Sequence, residues 1–252
     1  MNIVITGASS GIGEALALHY AASGVVLGLT GRDEARLKAV ASNAEAKGAK
    51  TIVRVLDVAD RAGMAAWLEG FDNAYPIDLL VANAGVGGGG AQEPTAQSMQ
   101  AAGDMFATNI NGVCNTIDPV LPRMAARGGG QVAMMASLAG YRGLSGAPAY
   151  AASKGFVKLY GEGLRGSMAK YGVRVNVICP GFVASRITAK NNFRMPFFME
   201  ADRAAAVIAR GLQKNRARIA FPAPMAFAVW FFAALPVCVS EWIARALPQK
   251  VN

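Results

Sequence analysis

Three residues in the second half of the chain have side chains and a spacing that suit proton transfer. Ser137 stands at the end of an apolar run, Tyr150 follows thirteen residues later, and Lys154 lies four residues beyond Tyr150. A spacing of four places two side chains on one face of a helix, so Tyr150 and Lys154 can address the same pocket. A phenol held there can protonate an alkoxide that develops from a carbonyl, or act as the base for an alcohol.

Proton transfer near neutral pH requires a phenol that is more acidic than usual. Moving the pKa of a phenol from about 10 toward 7 requires roughly 4 kcal/mol. One ammonium about 5 Å away, at an effective dielectric constant of about 20, supplies roughly 3.3 kcal/mol. We therefore expect Lys154 to supply most of the activation of Tyr150, and the hydroxyl of Ser137 to hydrogen-bond the substrate oxygen. A turn serine at the end of a strand is the alternative for Ser137.

A glycine-rich segment near the amino terminus is suited to bind phosphate. A predicted strand over residues 2–6 leads into Thr6-Gly7-Ala8-Ser9-Ser10-Gly11-Ile12-Gly13, and a helical pattern begins at Glu14. Glycines permit a tight turn and a close approach of the backbone to a pyrophosphate, which the amino terminus of a helix also attracts. The segment is predicted to cradle phosphate groups, with an ordinary glycine-rich turn as the alternative.

Taken together, the motifs of this chain resemble those of the short-chain dehydrogenase/reductase family. The glycine spacing resembles the Thr-Gly-x-x-x-Gly-x-Gly variant, and Tyr150 with Lys154 resembles the Tyr-x-x-x-Lys signature. Asn83-Ala84-Gly85 and Pro180-Gly181 resemble two further family elements. The resemblance covers residues 2 to about 221. It implies an NAD(P)-dependent oxidoreductase that interconverts a carbonyl and a secondary alcohol by hydride transfer. A catalytically silent dinucleotide-binding regulator or a membrane-associated binding protein of the same fold is the alternative.

The resemblance assigns a role to each matching residue. The implied catalytic residues are Asn109, Ser137, Tyr150 and Lys154, with Asn109 in a water-mediated proton relay and Asn111 as a nearby competitor for that role. The implied cofactor-binding residues are Gly7, Ser9, Ser10, Gly11, Ile12, Gly13, Arg32, Asp57, Val58, Asn83, Ala84, Gly85, Tyr150, Lys154, Pro180, Gly181, Val183 and Ser185. Ser185 stands where many family members have Thr, and either hydroxyl can bond a carboxamide.

The end of the second predicted strand bears on the choice of cofactor. Members that prefer NAD carry an acidic residue at the position that Gly31 occupies here. Arg32 resembles the basic residue that holds the 2′-phosphate in members that prefer NADP, a group that guanidinium binds in bidentate fashion. Asp33 places a negative charge nearby, and Ser10 occupies a position that is often basic in NADP users. We expect NADP (NADPH) to be preferred, with NAD left open as a second cofactor and a merely solvated Arg32 as the alternative.

The alternation of short β-branched runs with longer helical patterns predicts an α/β fold. We expect a single-domain, doubly wound Rossmann fold over residues 1–221, in which a seven-stranded, mainly parallel sheet carries helices on both faces. Ligands should collect at the carboxyl ends of the strands. The predicted strands are residues 2–6, 25–30, 51–56, 77–82, 131–136, 173–179 and 217–221.

Composition and residue counts exclude several other classes of protein. The chain has 252 residues, of which 53% are hydrophobic and 16% are charged, so it can bury a large core and is not a disordered chain. The three cysteines lie far apart and His19 is the only histidine, so we expect no metal site, no disulfide framework and no Ser-His-Asp triad. The net charge of +9 is spread along the chain, which does not favour nucleic acid. Met1 leads directly into a predicted strand, without the pattern of a signal peptide, so we expect a cytoplasmic protein.

Two apolar segments bear on substrate and partners. Residues 182–204 stand where the family carries its variable substrate lid, and they contain Phe193, Met195, Phe197, Phe198 and Met199. This run predicts a lipophilic carbonyl or alcohol as the substrate, with core packing or a subunit contact as the alternative. By resemblance we expect a homodimer or a homotetramer.

The carboxyl-terminal extension, residues 222–252, is hydrophobic. Residues 219–239 contain no charged side chain, and prolines isolate a predicted helix over residues 225–235. Those 11 residues extend about 16 Å, which is too short for a hydrocarbon core of about 30 Å. We expect this helix to pack on a second subunit or to cover the substrate pocket. Peripheral contact of residues 222–247 with the inner face of a membrane is the alternative.

Overall fold

One parallel sheet organises the molecule. The computed structural model describes residues 1–87, 96–191, 194–236 and 238–239. The strands cross the sheet in the order β3-β2-β1-β4-β5-β6-β7, and each neighbouring pair is parallel. Their bounds are β1 (Asn2–Thr6), β2 (Val26–Gly31), β3 (Lys50–Val55), β4 (Leu79–Ala82), β5 (Gly130–Met135), β6 (Val173–Pro180) and β7 (Arg218–Phe221). The predicted doubly wound Rossmann fold with a seven-stranded sheet is confirmed.

Helices connect the strands and cover both faces of the sheet. In the described part of the chain they are α1 (Gly11–Tyr20), α2 (Glu34–Glu45), α3 (Arg61–Ala74), α4 (Ala96–Phe106), α5 (Gly112–Ile117), α6 (Leu121–Ala126), α7 (Pro148–Met168), α8 (Ala201–Gln213) and α9 (Ala223–Ala234). A π-helical turn, Ala107–Asn111, joins α4 to α5, and a 3-10 turn, Leu138–Tyr141, follows β5.

The core consists of two apolar layers, one on each face of the sheet. α1, α2 and α8 cover one face with side chains such as Leu16 and Ile208. α3, α5, α6 and α7 cover the other face with side chains such as Leu68 and Val157. A strand between two such layers must be apolar on both sides, which is why these strands have nearly continuous hydrophobic sequences.

Strand β4 shows how this requirement shapes the sequence. Leu79 and Val81 point into the first layer, whereas Leu80 and Ala82 point into the second. All four side chains are buried, so no position in the strand tolerates a charge without a cost in desolvation.

The order of the strands creates a crevice at the carboxyl ends of the central strands. β1 pairs with β2 on one side and with β4 on the other, so the direction in which successive strands are added reverses at β1. Ligands of open α/β sheets bind at the carboxyl ends of the strands beside such a reversal. The loop after β1 and the loop after β4 border this crevice.

The last helix begins earlier than the sequence predicts. α9 runs from Ala223 to Ala234, whereas the prediction was residues 225–235. Pro224 lies in the first turn, where its missing N–H group costs no hydrogen bond, so it does not end the helix. In the part of the chain that the structure describes, no helix is both long and apolar enough to cross a membrane. Phe193 and residues 240–252 of the predicted extension lie outside the described residues.

Candidate active site

A cavity of about 540 Å³ opens at the carboxyl ends of β1, β4, β5 and β6. Most of the residues that the sequence predicted for the site line it. They are Gly7, Ser9, Ser10, Ile12, Arg32, Asp57, Val58, Asn83, Ala84, Gly85, Ser137, Tyr150, Lys154, Pro180, Gly181, Val183 and Ser185. Gly11, Gly13 and Asn109 are not in the lining.

The glycine loop, residues 6–13, sets the amino terminus of α1 against the cavity. Ser10 precedes the first turn of α1, and its hydroxyl makes no capping hydrogen bond. The free N–H groups of that turn favour an anion. Gly11 has a φ of 60°, and a Cβ atom there would lie 3.0 Å from Cβ of Ser185. A Cβ atom at Gly13 would overlap the carbonyl oxygen of Gly7, so the helix packs on the loop as closely as glycine allows.

A hydrogen-bonded brace joins the loop after β4 to the end of β1. The buried hydroxyl of Thr6 accepts hydrogen bonds from the N–H groups of Asn83 and Ala84, both at 3.1 Å. In return, Nδ2 of Asn83 donates to the carbonyl oxygens of Thr6 at 2.9 Å and Gly7 at 3.2 Å. The side chain of Asn83 therefore holds the first two residues of the glycine loop in place through their carbonyl oxygens.

Asn109 lies in the π-helical turn and is fully buried. Its Oδ1 atom accepts from the N–H group of Val86 at 2.8 Å, and its Nδ2 atom donates to the carbonyl oxygen of Val86 at 2.9 Å and to Oγ of Ser153 at 3.1 Å. Protein groups thus take both N–H donors of the amide, and Oδ1 accepts one hydrogen bond. Asn111, the competitor for the same role, is exposed on the surface, which favours Asn109.

Ser137, Tyr150 and Lys154 all line the cavity, and the spacing of four predicted the meeting of the last two. Tyr150 and Lys154 both lie on α7, with Nζ of Lys154 5.9 Å from the centre of the Tyr150 ring. Nζ of Lys154 also donates to the carbonyl oxygen of Met135 at 2.9 Å. Ser137 is held by its own turn, because its hydroxyl accepts from the N–H group of Ala139 at 3.1 Å.

The acidity of Tyr150 differs from the expectation. Burial raises the pKa of Tyr150, and the hydrogen bond with Ser137 lowers it by less. Burial also lowers the pKa of Lys154 to about 8. The loss of water on burial disfavours the charged form of both groups, and this effect exceeds the attraction between the ammonium and the phenolate. Tyr150 therefore keeps its proton in the protein alone.

The Pro-Gly segment, residues 179–185, forms the wall opposite the glycine loop. The N–H group of Gly181 donates to the carbonyl oxygen of Phe221 at 2.8 Å, which ties the segment to β7. Farther along, the N–H group of Ser185 donates to Oγ1 of Thr188 at 3.0 Å, and the two hydroxyl oxygens are 3.2 Å apart. Thr188 also donates to the carbonyl oxygen of Val183 at 2.8 Å. Thr188 thereby orients the hydroxyl of Ser185.

The far end of the cavity contains two guanidinium groups. Nη1 of Arg32 lies 3.4 Å from Oδ2 of Asp57, and the Arg32 side chain is 63% exposed. Asp33 caps α2 by accepting from the N–H group of Arg36 at 3.0 Å, and its carboxylate pairs with the Arg36 guanidinium at 2.6 Å. The negative charge that Asp33 brings is therefore compensated by Arg36, which also lines the cavity. Nε of Arg36 is buried without a hydrogen-bond partner among the described residues.

The sequence predictions missed several residues that support or line the site, and four of them make the side-chain contacts described above. They are Thr6, Arg36, Ser153 and Thr188. Thr6 belongs to the glycine motif itself, and Arg36 follows Arg32 by four residues at the start of a helical pattern, so both had a local signal. The roles of the other two depend on contacts with distant segments, which no local pattern indicates.

Comparison with known proteins identifies the family. The profile of the short chain dehydrogenase family matches residues 1–195. An oxidoreductase of Myxococcus xanthus is 38% identical over 245 residues, which cover 97% of this chain and 96% of that protein. The chain belongs to the short-chain dehydrogenase/reductase family. It is an oxidoreductase of the class that acts on CH–OH and C=O groups.

Solved structures share the fold over nearly the whole chain. A short-chain dehydrogenase from Sphingobium yanoikuyae in complex with NADPH has a TM-score of 0.81 and 25% identity, covering 100% of this chain and 98% of that one. A short-chain dehydrogenase/reductase from Burkholderia phymatum in complex with NAD has a TM-score of 0.80 and 26% identity, covering 90% and 91%. Proteins of this fold therefore bind NADPH in one case and NAD in the other.

Proposed function

We propose that the protein is an NADP-preferring oxidoreductase that interconverts a carbonyl and a secondary alcohol, with Tyr150 as the general acid and base. One observation carries the proposal: Ser137, Tyr150 and Lys154 converge on the cavity that the glycine loop also lines. The membership of the family supports the reaction class. The similar structures with NADPH and NAD support a nicotinamide coenzyme.

The residues around the cavity fit a dinucleotide. The glycine loop and the first turn of α1 offer N–H groups to a pyrophosphate. Lys154 has three donors, and among the described residues only the carbonyl oxygen of Met135 is recorded as an acceptor, which leaves donors for ribose hydroxyls. Asp57 and Val58 would border the adenine, and Val183 and Ser185 would border the nicotinamide. The bound nicotinamide would supply or accept the hydride.

The protein's own residues would manage the proton. In the direction of reduction, the hydroxyl of Ser137 would hydrogen-bond the carbonyl oxygen, and the hydroxyl of Tyr150 would donate its proton as negative charge develops there. Burial raises the pKa of Tyr150, which keeps the phenol protonated, the form that a general acid needs. Lys154 in its charged form would stabilise the phenolate that remains.

Asn109 would support this proton transfer from behind the cavity. Because Val86 and Ser153 use both N–H donors of its side-chain amide, a relay water would donate to an oxygen of Asn109, either the main-chain carbonyl or the second lone pair of Oδ1. Ser153 donates in turn to the carbonyl oxygen of Tyr150 at 2.8 Å, so the same network fixes the start of α7. The proposed relay thus uses the π-helical turn, a type of turn that recurs at functional sites.

The preference for NADP rests on the charges at the far end of the cavity. Arg32 is exposed there, Arg36 lies beside it, and no acidic side chain occupies the position of Gly31. A Cβ atom at Gly31 would lie 3.2 Å from Oγ of Ser9, so the side of the strand end that faces the loop has little room for a carboxylate. Guanidinium groups bind phosphate through paired hydrogen bonds, which would favour a 2′-phosphate over a hydroxyl.

A lipophilic substrate and a symmetric oligomer complete the proposal. Phe197 and Phe198 of the proposed lid, residues 182–204, are exposed beside the Pro-Gly segment and would contact an apolar substrate. Leu159 on α7 and Met99 on α4 are apolar and exposed, and these two helices are neighbours. Such a surface would suit the contact of a homodimer or homotetramer.

The proposal is tested with a panel of ketones and secondary alcohols, assayed with NADPH and with NADH by nicotinamide absorbance. We expect turnover with the wild type and a loss of about a thousandfold in kcat for Tyr150→Phe, since general acid catalysis contributes about 10²–10⁴-fold. NADPH should still bind, because the glycine loop, Arg32 and Lys154 remain in place when the single hydroxyl of Tyr150 is removed. Coenzyme binding without turnover on any member of the panel, unchanged in Tyr150→Phe, would instead favour a silent dinucleotide-binding regulator.

A further inference from the structure

The last described helix carries a row of exposed aromatic side chains. Residues 219–239, which include α9, contain no charged side chain. Phe227, Trp230 and Phe231 are 67%, 51% and 55% exposed on one side of α9, and we call these three residues the aromatic face. Their spacing of three and four residues places them on one stripe of the helix. A contiguous exposed apolar patch of this kind indicates an interaction surface.

The aromatic face belongs to a helix that is fixed in place. On its other side, α9 packs on the core through Met225, Ala226 and Val229. At its carboxyl end, Nη1 of Arg142 donates to the carbonyl oxygen of Leu235 at 2.9 Å and also approaches the two carbonyl oxygens at positions 232 and 233. The final carbonyl groups of a helix lack partners within it, so this guanidinium caps α9. The aromatic face is therefore held outward on a docked helix.

Further exposed aromatic residues precede Met199, which pairs with the Pro-Gly segment in the wall of the cavity. Met199 is tied to the Pro-Gly segment, because its N–H group donates to the carbonyl oxygen of Phe182 at 3.0 Å. The two residues before it, Phe197 and Phe198, are exposed. Phe197 has a φ of 55°, a conformation that is rare for bulky residues and clusters at ligand contacts. α9 borders the same wall, since a Cβ atom at Gly181 would lie 2.9 Å from Sδ of Met225.

The charges around these aromatic residues are mainly positive. Residues 186–203 contain four basic side chains against two acidic ones, Glu200 and Asp202. Arg186 and Arg194 are exposed, and neither forms an ion pair with any residue that the structure describes. The whole chain carries a net charge of +9. Arg186 lines the cavity and Arg194 lies three residues before Phe197, and such positive charges near exposed aromatic rings are complementary to a surface that is anionic outside and apolar beneath.

We propose that the aromatic face, together with Phe197 and Phe198, docks on the surface of an anionic phospholipid bilayer. The 12 residues of α9 extend about 18 Å, which suits a helix lying in the interface and not one crossing a core of about 30 Å. Aromatic rings bind favourably at the boundary between head groups and acyl chains, and nearby arginines add attraction to anionic lipids.

A second copy of this chain fits the same surface less well. Symmetric association would set this surface, with Arg186 and Arg194 near it in the chain, against a second copy that carries the same net charge of +9. Like charges placed opposite each other across an interface oppose association. An anionic bilayer meets the same arginines with opposite charge.

Docking in this way would set the cavity mouth beside the bilayer. A lipophilic carbonyl dissolved among acyl chains could then enter past Phe197 and Phe198 without crossing bulk water. This consequence rests on the proposed function, whereas the docking itself does not.

The test is co-sedimentation of the full chain with vesicles of phosphatidylcholine alone and of phosphatidylcholine mixed with phosphatidylglycerol. We expect the wild type to bind the anionic vesicles, less so at high salt, and Trp230→Asp to lower the partition coefficient by roughly tenfold or more. Phe227→Asp, on the same face, should behave alike. Tyr171→Asp is the matched control and should leave binding unchanged. Tyr171 is an exposed aromatic residue just before the amino end of β6, whereas α9 follows the carboxyl end of β7.

Three outcomes would overturn the proposal. The first is wild-type protein that stays in the supernatant with anionic vesicles. The second is equal binding by the wild type and by Trp230→Asp or Phe227→Asp, with folding verified by circular dichroism. The third is a lipid-free oligomer that either variant splits into smaller species while vesicles bind neither form, which would assign the aromatic face to a second copy. Since sedimentation requires no turnover, none of these results depends on the catalytic proposal.

Discussion

Lys154 has a charged side chain where little water reaches it. The residue is only 3% exposed, and burial lowers its pKa to about 8. In the described part of the chain, Nζ of Lys154 donates to the carbonyl oxygen of Met135. One hydrogen bond offsets only part of the desolvation cost of a buried ammonium. A lysine in a cleft with a strongly lowered pKa is typical of a functional site. Its burial lowers the stability of the protein without coenzyme.

Replacing Lys154 with Met should therefore stabilise the coenzyme-free protein near pH 7. Burial holds the folded pKa at about 8, below the ordinary 10.5, so the unfolded chain binds the proton first as the pH falls. Burial of Lys154 therefore lowers the free energy of unfolding of the wild type by about 3 kcal/mol below the folded pKa, and not at all above the unfolded pKa. The Met variant avoids this cost but loses a hydrogen bond that contributes about 1 kcal/mol. Urea unfolding of both proteins across pH values from about 7 to 10 measures it. A difference that does not shrink as the pH rises would contradict the prediction.

In the proposed function, Arg32 is the residue on which the preference for NADPH depends most directly. Arg32→Ala should raise KM for NADPH by about tenfold and leave KM for NADH within about twofold, because a charge-assisted hydrogen bond to phosphate contributes about 1.5–3 kcal/mol and partial exposure weakens it. Lys38→Ala is the matched control, since Lys38 is a basic residue of α2 that pairs with Glu34 away from the cavity. Steady-state kinetics with both coenzymes measures the effect, and equal changes in the two KM values would defeat the assignment.

At the scale of elements, the site depends on how β1 and β4 are tied together. Thr6 is the last residue of β1, and its hydroxyl receives the first two N–H groups of the loop after β4. The glycine loop and the loop bearing Asn83 are therefore both anchored at the side chain of Thr6. Because Thr6 is buried, water cannot replace it as the acceptor.

Thr6→Val should destabilise the protein by about 1–2 kcal/mol, because it leaves the N–H group of Ala84 without its acceptor and the N–H group of Asn83 with only the carbonyl oxygen of Val81. Affinity for NADPH should fall as well, since the glycine loop loses its support. Thr6→Ser keeps the hydroxyl and should retain most of both quantities. Chemical denaturation and equilibrium binding of NADPH measure them, and a Val variant that matches the Ser variant in both would rule out the brace.

At the scale of the whole molecule, the sequence predicts those features that depend on local patterns. The seven strands follow from apolar runs such as residues 77–82, because a strand covered on both faces has no room for polar alternation. The meeting of Tyr150 with Lys154 follows from helical periodicity alone. Both features need only the residues next to each other in the chain.

Features that depend on distant contacts were not predicted. Arg36 compensates the charge of Asp33, and Thr188 orients Ser185, but neither partnership has a characteristic spacing. The raised pKa of Tyr150 is a similar case, because the water lost around a phenol depends on every segment that covers it. Charge and spacing indicate which groups meet, whereas packing determines their state of protonation.

Gly11 shows how a small atom that is missing can determine the dimensions of a large crevice. A Cβ atom at Gly11 would lie only 3.0 Å from Cβ of Ser185. The missing side chain therefore allows the start of α1 to approach the segment that contains Ser185. Any larger residue at this position would push the glycine loop away from the Pro-Gly segment and widen the crevice between them.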